Sequence, residues 1–298
     1  MSFNFKKETK VYLVYSGNRY ELDIQDDLSF GQTFTEESTS VKTLHSQNFF
    51  ERSTIVKANP ANFAFTMPLL QENDLKVVFD RLLDYQTFDL YIQSNESTFY
   101  LEKCVLTNGT FVIERSTHLR LTLSGEAKKL SRIGDNSYSV PGTEVVRSST
   151  RRYLMCSEIS VSLDSVNITP GVYSISVELQ NQVDWNGYTT VHAGLSVSDR
   201  SNAMYPENFT LDKRAFAGSI GRYLQNGAEN TFLNFDKNVT LRILAGERIS
   251  NNLFGFDLNM NACSLTTRVT ADQVFTQNLD WRLTSNTTLS NILLYNTL

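Results

Sequence analysis

The chain alternates apolar and polar residues in short runs over most of its length, and a period of two predicts β-strands. The run Leu22–Gln32 shows this pattern and then opens into a polar stretch, Thr33–Lys57. Two earlier runs, Val11–Tyr15 and Arg19–Ile24, flank Ser16-Gly17-Asn18, which is a hairpin signal. The pattern therefore predicts a mainly β protein that begins with a hairpin.

One segment has the spacing of an α-helix instead. An apolar stripe over about Asp74–Asp84 consists of residues at helical intervals, namely Leu75, Val78, Phe79, Leu82 and Leu83. Asn73 can cap the start of this helix, and we interpret the stripe as core packing. Alternation then predicts further strands at Phe88–Gln93, Phe99–Leu106, Thr110–Arg115 and His118–Ser124.

The polar stretch Thr33–Lys57 is long for a loop inside a compact domain, and such loops are usually functional. It is rich in Thr, Ser, Glu and Lys, yet it contains four large apolar residues, Val41, Leu44, Phe49 and Phe50. One interpretation is a pair of extra surface strands. The other is a projecting arm whose four apolar side chains are self-assembly contacts, buried against a neighbouring subunit. The sequence leaves both open.

The order of apolar runs recurs in the second half of the chain. Ile159 follows Val11 by 148 residues, and Leu279 follows Leu119 by 160 residues. The intervening pairs fall within this narrow band, as expected for a duplicated unit with small changes in its loops. Only Phe232, Leu233 and Phe235 suggest a counterpart of the helix.

A polar segment with Gly134, Pro141 and Gly142 separates the two halves. The pattern therefore predicts a first β domain over residues 1–135, a linker over residues 136–152 and a second β domain over residues 153–298.

Composition and charge exclude several classes of protein. Hydrophobic residues make up 41% of the chain, as in globular proteins, and the net charge is −5. Neither half has the basic surplus that a nucleic-acid-binding face requires. No apolar run approaches the roughly 20 residues that span a membrane, and we expect no signal peptide and no membrane insertion. Three widely spaced cysteines suggest free, buried thiols in a reducing compartment: Cys104, Cys156 and Cys263.

Candidate catalytic residues do not form a recognisable motif. His45, His118 and His192 are isolated from one another and from other metal ligands. The adjacent carboxylates of Asp26-Asp27 and Glu36-Glu37 point to opposite faces of a strand, which favours solvated side chains over a catalytic pair. We therefore expect no enzyme activity, no cofactor and no metal site.

Three stretches resemble the tail tube proteins of long-tailed bacteriophages. Ile24–Gln32 resembles the early strand of that family, in which an acidic pair, an aromatic residue and Gly-Gln lead into a long loop. Leu119–Leu130 resembles the last strand of the domain, which closes on a Ser-Gly element. Phe216–Leu224 is similar to the mid-domain strand in the second copy of the duplicated kind.

The resemblance implies a β-sandwich or half-barrel with one flanking helix, present as two tandem tail-tube-like domains. It implies a major tail tube protein, a structural virion protein whose trimers form stacked rings around a channel for the genome. The implied partners are the chain itself, the tape measure, tail terminator and baseplate or tip proteins, and genomic DNA in transit without specific binding. The implied location is the phage tail, after assembly in the bacterial host cytoplasm.

Two other functions stay open at this point. A β-sandwich tail-fibre or adhesin module could bind carbohydrates, with some of the 13 Tyr and 19 Phe residues as stacking platforms. The inner tube of a contractile tail or of a secretion system would share the fold, and the sequence does not show whether a sheath surrounds it.

Overall fold

The structure is a computed structural model that describes residues 8–25, 27–39, 42–43, 46–47, 52–70, 74–114, 116–146, 152–186, 204–224, 237–271, 273–285 and 293–297. Within these residues the protein consists of β-strands and one α-helix, which confirms the predicted mainly β class. Strand ladders connect all but two small strand pairs into a single network.

The first part of the chain begins with the predicted hairpin. Its turn residues Ser16 and Gly17 both have positive φ angles, 50° and 78°, as a two-residue type I′ turn requires. The elements of this part are β1 (Lys10–Tyr15), β2 (Asn18–Leu22), β3 (Ser29–Gly31), β4 (Phe34–Thr39), β5 (Lys42–Thr43), β6 (Ser46–Gln47), β7 (Arg52–Ala58), β8 (Ala61–Pro68), α1 (Asp74–Asp84), β9 (Phe88–Gln93), β10 (Thr98–Glu114), β11 (Arg120–Ala127) and β12 (Lys129–Gly134).

The second part of the chain contains longer strands. Its elements are β13 (Thr143–Glu144), β14 (Glu158–Leu163), β15 (Val166–Asn167), β16 (Val172–Asn186), β17 (Asn208–Tyr223), β18 (Val239–Ile249), β19 (Asn252–Ala271), β20 (Phe275–Leu283) and β21 (Leu293–Thr297). The weak helix signal at Phe232, Leu233 and Phe235 lies outside the described residues.

Helix α1 has the bounds that its apolar spacing predicts. Val78, Phe79, Leu82 and Leu83 are all buried, so the stripe is core packing. The helix lies against β10 at Gly109, where a Cβ atom would come within 2.3 Å of Leu82 Cδ2. A glycine in the middle of this strand therefore makes room for the helix.

The sequence predicts two strands at Phe99–Leu106 and Thr110–Arg115, and this prediction is wrong, because β10 is one bent strand. The bend is a bulge: the register of β10 with β9 shifts between Leu101 and Cys104. Lys103 lies in this bulge with a φ of 50°. The bend allows the start of β10 to pair with β9 and β12 while its end pairs with β11 and β16.

Strand β19 divides its pairing in the same way. Its first part pairs with β18 and β21, and its last part pairs with β20. The first half thus has a short sheet in the order β2–β1–β9–β10–β12, and the second half has one in the order β15–β14–β18–β19–β21. The other sheets have the orders β3–β8–β11–β10 and β16–β17–β20–β19.

The segment between the halves packs on the first half over its described part. Gln93 Nε2 donates hydrogen bonds to the carbonyl oxygens of Asn136 (2.9 Å) and Tyr138 (3.0 Å). Arg19 Nη1 donates to the carbonyl oxygen of Val140 at 2.7 Å, and β13 adds a parallel strand beside β2. Residues 136–146 of the predicted linker are therefore held against the first half.

Both halves share one hydrophobic core. The Phe111 ring lies 5.4 Å from that of Phe79 in the first half and 5.3 Å from that of Phe256 in the second half. We expect Phe111→Ala to lower the free energy of unfolding by about 3–5 kcal/mol, because it leaves a cavity between the halves. Chemical denaturation measures this loss, and it should show one cooperative transition.

Val112 provides a matched control on the same strand. Its side chain points away from the core and is 50% exposed. We expect Val112→Ala to change the free energy of unfolding by less than about 0.5 kcal/mol. Equal losses for the two variants would contradict the placement of Phe111 in a shared core.

Candidate assembly surface

The two halves are joined edge to edge. The last part of β10 pairs antiparallel with β16, from Asn108 opposite Gln180 to Glu114 opposite Ser174. We name this pairing the inner joint. It produces one sheet in the order β3–β8–β11–β10–β16–β17–β20–β19, which we name the long sheet. Asn108 Nδ2 reinforces the joint by donating to Glu178 Oε1 at 3.1 Å.

The inner joint buries the core-facing side chains of β10. Phe111 is 3% exposed, and Ile113, which lies opposite Ile175, is fully buried. Burying an apolar side chain of this size stabilises a structure by roughly 1.5–3 kcal/mol relative to leaving it in water. The joint is therefore held by hydrophobic burial as well as by its backbone hydrogen bonds.

Strand β19 forms one outer edge of the long sheet. Residues from Thr266 to Ala271 are all exposed, although alternate side chains of this strand face the core side. Val269 is 42% exposed, and Phe275 at the start of β20 is 56% exposed. β19 is the last strand of the second half's part of the long sheet, as β10 is the last strand of the first half's part. The core-facing side chains of β10 are covered. The outer edge of β19 therefore lacks, within the described part of the chain, the cover that the inner joint supplies.

Strand β3 forms the other outer edge. Ser29–Gly31 pair with β8 on one side, and no described strand pairs with their other side. The Asp27 carboxylate accepts a hydrogen bond from the backbone N–H of Thr66 at 2.9 Å and another from its hydroxyl group, which holds the chain before β3 along β8. β3 is the first strand of the first half's part of the long sheet, as β16 is the first strand of the second half's part. The outer edges of β3 and β19 therefore correspond to the edges of β16 and β10 that meet in the inner joint.

The face of the long sheet that points away from the core carries small polar side chains. The Ser176 and Ser219 hydroxyl oxygens lie 2.8 Å apart. We count the charges on the described part of this face that runs from Arg120–Ser124 on β11 to Ser264–Thr270 on β19. It has three carboxylates and three guanidinium groups, namely Glu114, Glu178, Asp280, Arg120, Arg268 and Arg282. Balanced charges give this face little net field, so it would not hold a polyanion strongly.

A ribbon from the second half caps helix α1. The β16–β17 hairpin continues beyond the long sheet as Asn181–Asn186 paired with Asn208–Arg214, and we name this part the second ribbon. The Arg214 guanidinium donates hydrogen bonds to the carbonyl oxygens of Leu82, at 3.0 Å, and Leu83.

The cap satisfies groups that the helix leaves unpaired. The last carbonyl oxygens of a helix have no partner within it, and the helix dipole makes that end negative, so a guanidinium group stabilises it. Asn181 Nδ2 donates to Leu82 O at 3.1 Å as well. Burial lowers the pKa of Arg214, and the nearby Tyr85 and Asp84 oppose that shift.

Trp185 anchors the second ribbon to β11. Its side chain is 8% exposed, and its Nε1 donates a hydrogen bond to Glu126 Oε2 at 2.7 Å. Burial raises the pKa of Glu126, and the hydrogen bond from Trp185 lowers it by a smaller amount. The second ribbon therefore covers a polar, desolvated position on the first half.

The first half has a ribbon of its own that stands outside the strand network. Strands β4 and β7 form this first ribbon, and it continues the β3–β8 pair because Asn59 N–H donates to Thr33 O at 2.9 Å between them. Phe34 is 42% exposed and Ile55 is 49% exposed. The four predicted self-assembly contacts, Val41, Leu44, Phe49 and Phe50, lie outside the described residues, so that assignment stays a prediction.

The three cysteine side chains are free and buried. Burial raises the pKa of Cys156 and Cys263 to about 12, and it raises the pKa of Cys104 as well. In the part of the chain that the structure describes, no group of three or more His, Cys, Asp and Glu residues could hold a metal ion. None of the described helical residues form a segment long and apolar enough to cross a membrane.

Periodicity in the sequence did not identify the contacts of Trp185 and Arg214. Their partners are 59 and about 130 residues away along the chain, and alternation carries no information about contacts at such separations. One signal does mark the outer edge. Thr266–Ala271 contains Val269 as its only large apolar residue, which is unusual for a strand that is covered on its core side.

Comparison with known proteins identifies a family and a relative. A sequence model of the Bacteriophage Baseplate Tube Protein Family matches residues 1–86 and 77–296. The chain is also 24% identical over 205 residues to the Baseplate tube protein p140 of Escherichia phage T5. That alignment covers 62% of this chain and 65% of the phage T5 protein, so it spans slightly less than two thirds of the relative's length.

The contact between Glu126 and Trp185 leads to a prediction about pH. Because the pKa of Glu126 is raised in the folded protein, its contribution to stability is fully present below the ordinary pKa of 4.5. That contribution is lost as the pH rises through the raised folded-state pKa. We expect Glu126→Gln, which keeps an acceptor oxygen for Trp185, to melt at a higher temperature than the native protein above that folded-state pKa.

The difference in melting temperature should close on acidification toward the ordinary pKa of the carboxyl group. Thermal unfolding at a series of pH values measures it, with Glu37→Gln at an exposed position as the control. A native protein that melts at a higher temperature than Glu126→Gln at neutral pH would contradict the prediction.

Proposed function

We infer the function from the family: the chain belongs to the Bacteriophage Baseplate Tube Protein Family, whose members have a structural role in the phage tail tube. We propose that copies of the chain assemble head to tail into a ring, that rings stack within the tube, and that the genome passes through the channel. The observation that carries this proposal is the inner joint. The chain already pairs one half with the other through β10 and β16, and among the described residues no strand pairs with the outer sides of β19 and β3, which are edges of the same two kinds.

The two halves are repeated units in this proposal. Their short sheets have matching strand orders, and so do their shares of the long sheet. This agreement supports a first domain over residues 1–135 and a second over residues 153–298. The resemblance to duplicated tail tube proteins then implies three copies to a ring, which together supply six similar units.

Contact between copies repeats the inner joint. The outer edge of β19 in one copy pairs with the β3 edge of the next copy, as β10 pairs with β16 within the chain. Val269 and Phe275, which are exposed in the single copy, become buried against that neighbour. A contact between two different edges is heterologous, and repeating it closes a ring when the rotation between copies divides a full turn.

The polar face of the long sheet lines the channel in this arrangement. Its hydroxyl and amide groups stay hydrated, and its carboxylates and guanidinium groups balance. Strong binding to DNA requires a surplus of Lys and Arg at the phosphates. A balanced face lets the genome slide past without specific binding.

The relative from phage T5 is a baseplate tube protein, and we propose the same location for this chain. Its partners are then further copies of itself, the adjoining tube ring and other baseplate proteins, in a particle that is assembled in the host cytoplasm. The narrower assignment as the major tail tube protein, with tape measure and tail terminator contacts, stays a prediction.

Electron microscopy of negatively stained, purified protein tests the ring. We expect rings or short tubes with an open channel. A protein that remains monomeric at high concentration, by sedimentation as well as by microscopy, would contradict the proposed function.

A charge on the outer edge tests the joint between copies. Natural sheets prevent pairing of an edge with an inward-pointing lysine, so we expect Val269→Lys to fold and remain monomeric. Val166→Lys is the matched control, because Val166 is 46% exposed on β15, outside the long sheet, and this variant should form rings. Normal rings from Val269→Lys would show that β19 is not the joining edge.

A further inference from the structure

We propose that the first ribbon of one copy packs on the second half of the neighbouring copy, on a strip that consists of Asn261, Ala262, Leu283 and Thr284. This inference rests on the proposed function and identifies a second contact between the same partners. We name the four residues the open strip. The partner is a second copy of this chain, and the contact is separate from the pairing of β19 with β3.

The two ribbons have the same place in their halves. Each ribbon extends the first hairpin of the long sheet in its own half. In the first half, β3 and β8 extend into β4 and β7. In the second half, the inner parts of β16 and β17 extend into the second ribbon. Asn59 and Thr33 bridge the first hairpin where its two parts meet. A contact made by one ribbon is therefore a guide to the contact available to the other.

The second ribbon is packed on the half that precedes it in the long sheet. Trp185 is bonded to Glu126, and Asn181 Nδ2 donates to Leu106 O at 3.1 Å. Leu106 and Glu126 lie where β10 leaves the long sheet while β11 is still paired with β8, and Val105 pairs with Glu126 there. The ribbon thus covers the end of the β10–β11 pair on the first half.

The open strip is the corresponding end of the β19–β20 pair. Thr284 N–H donates to Ala262 O at 3.0 Å, just beyond the pairing of Cys263 with Leu283. Asn261 and Thr284 are exposed, and Leu283 is partly exposed. No described segment lies over this strip as the second ribbon lies over Glu126, so within the described residues an apolar and hydrogen-bonding surface is uncovered there.

The first ribbon has apolar side chains to place on such a surface. Phe34 and Ile55 are exposed, at 42% and 49%. They lie near one end of the ribbon on neighbouring strands, since Phe34 pairs with Ala58 and Glu36 pairs with Ile55. Burial of both side chains would stabilise the contact through the hydrophobic effect.

Strand order places the chain's own open strip far from the first ribbon along the sheet. Strand β20 lies six strand spacings from β3 in the long sheet, about 29 Å at roughly 4.8 Å for each spacing. The six residues of β4 span about 20 Å, and they run along the strand direction instead of across the sheet. In a head-to-tail ring, by contrast, the β3 edge of one copy lies beside the β19 edge of another, next to that copy's open strip.

A photo-cross-linking amino acid at position 34 tests the contact. Rings are formed from an equal mixture of ¹⁵N-labelled and unlabelled Phe34→p-benzoylphenylalanine protein, irradiated and digested, and the cross-linked peptides are identified by mass spectrometry. We expect adducts to residues 260–265 or 281–285 with mixed isotope labels, which show that the bond joins two copies. Tyr138→p-benzoylphenylalanine is the control, because Tyr138 is 36% exposed on the first half, and it should give no such adduct.

The possible results separate this inference from the proposed function. Rings in which position 34 cross-links only to its own copy, to another surface or to nothing would overturn the docking of the first ribbon and leave the ring intact. Protein that forms no rings would overturn the proposed function, and the docking with it. A second variant, Phe34→Ser with Ile55→Ser, should fold as the native protein does and lose the rings. Undiminished rings from that variant would also count against the docking.

Discussion

The structure depends on one constraint, which is that the hydrogen-bonding groups along a strand edge need partners. Within the chain, the edges of β10 and β16 meet this need for each other. Because they pair, the two halves can share a core, with Phe111 packed against Phe256. Along β3 and β19, no described strand supplies partners on the outer side. The interaction that builds the single chain is therefore also the one best suited to join copies of it.

The side chains behind the edge of β10, at the inner joint, differ in chemistry from those behind the corresponding outer edge of β19. Behind the inner joint lie apolar side chains such as Phe111, Leu119 and Leu154, all of which are buried. Near the outer edge of β19, Gln277 is fully buried, and its Nε2 donates to Thr267 Oγ1 at 3.0 Å. Arg222, on the neighbouring strand β17, is only 3% exposed. A polar edge exposes less apolar surface to water, so pairing along β19 would bury less apolar surface than the inner joint does.

The sequence predicts the local elements where a single period dominates. Helix α1 and the Ser16-Gly17 turn depend on residues a few positions apart, so pattern alone locates them. Strand β10 appears as two strands because the alternation breaks near Gly109, and the cause of the break is the Leu82 side chain, which packs against that glycine from α1. The contacts of Trp185 and Arg214 depend on tertiary placement, which periodicity does not encode. In the sequence the candidate surface is visible as a long polar arm and as the apolar-poor run Thr266–Ala271, and neither identifies the unpaired edges, which exist only once the sheet has formed.

The difference between the two outer edges decides what form an assembly can take. A two-fold contact would place β19 of one copy against β19 of another and leave both β3 edges unpaired. A head-to-tail contact pairs the β19 edge of one copy with the β3 edge of the next, so every such edge is paired once the ring closes. The inner joint is one such step within the chain, and the shared core around Phe111 holds its two halves together. If contacts between copies repeat the same step, the number of halves in a ring is fixed by the geometry that each chain already contains.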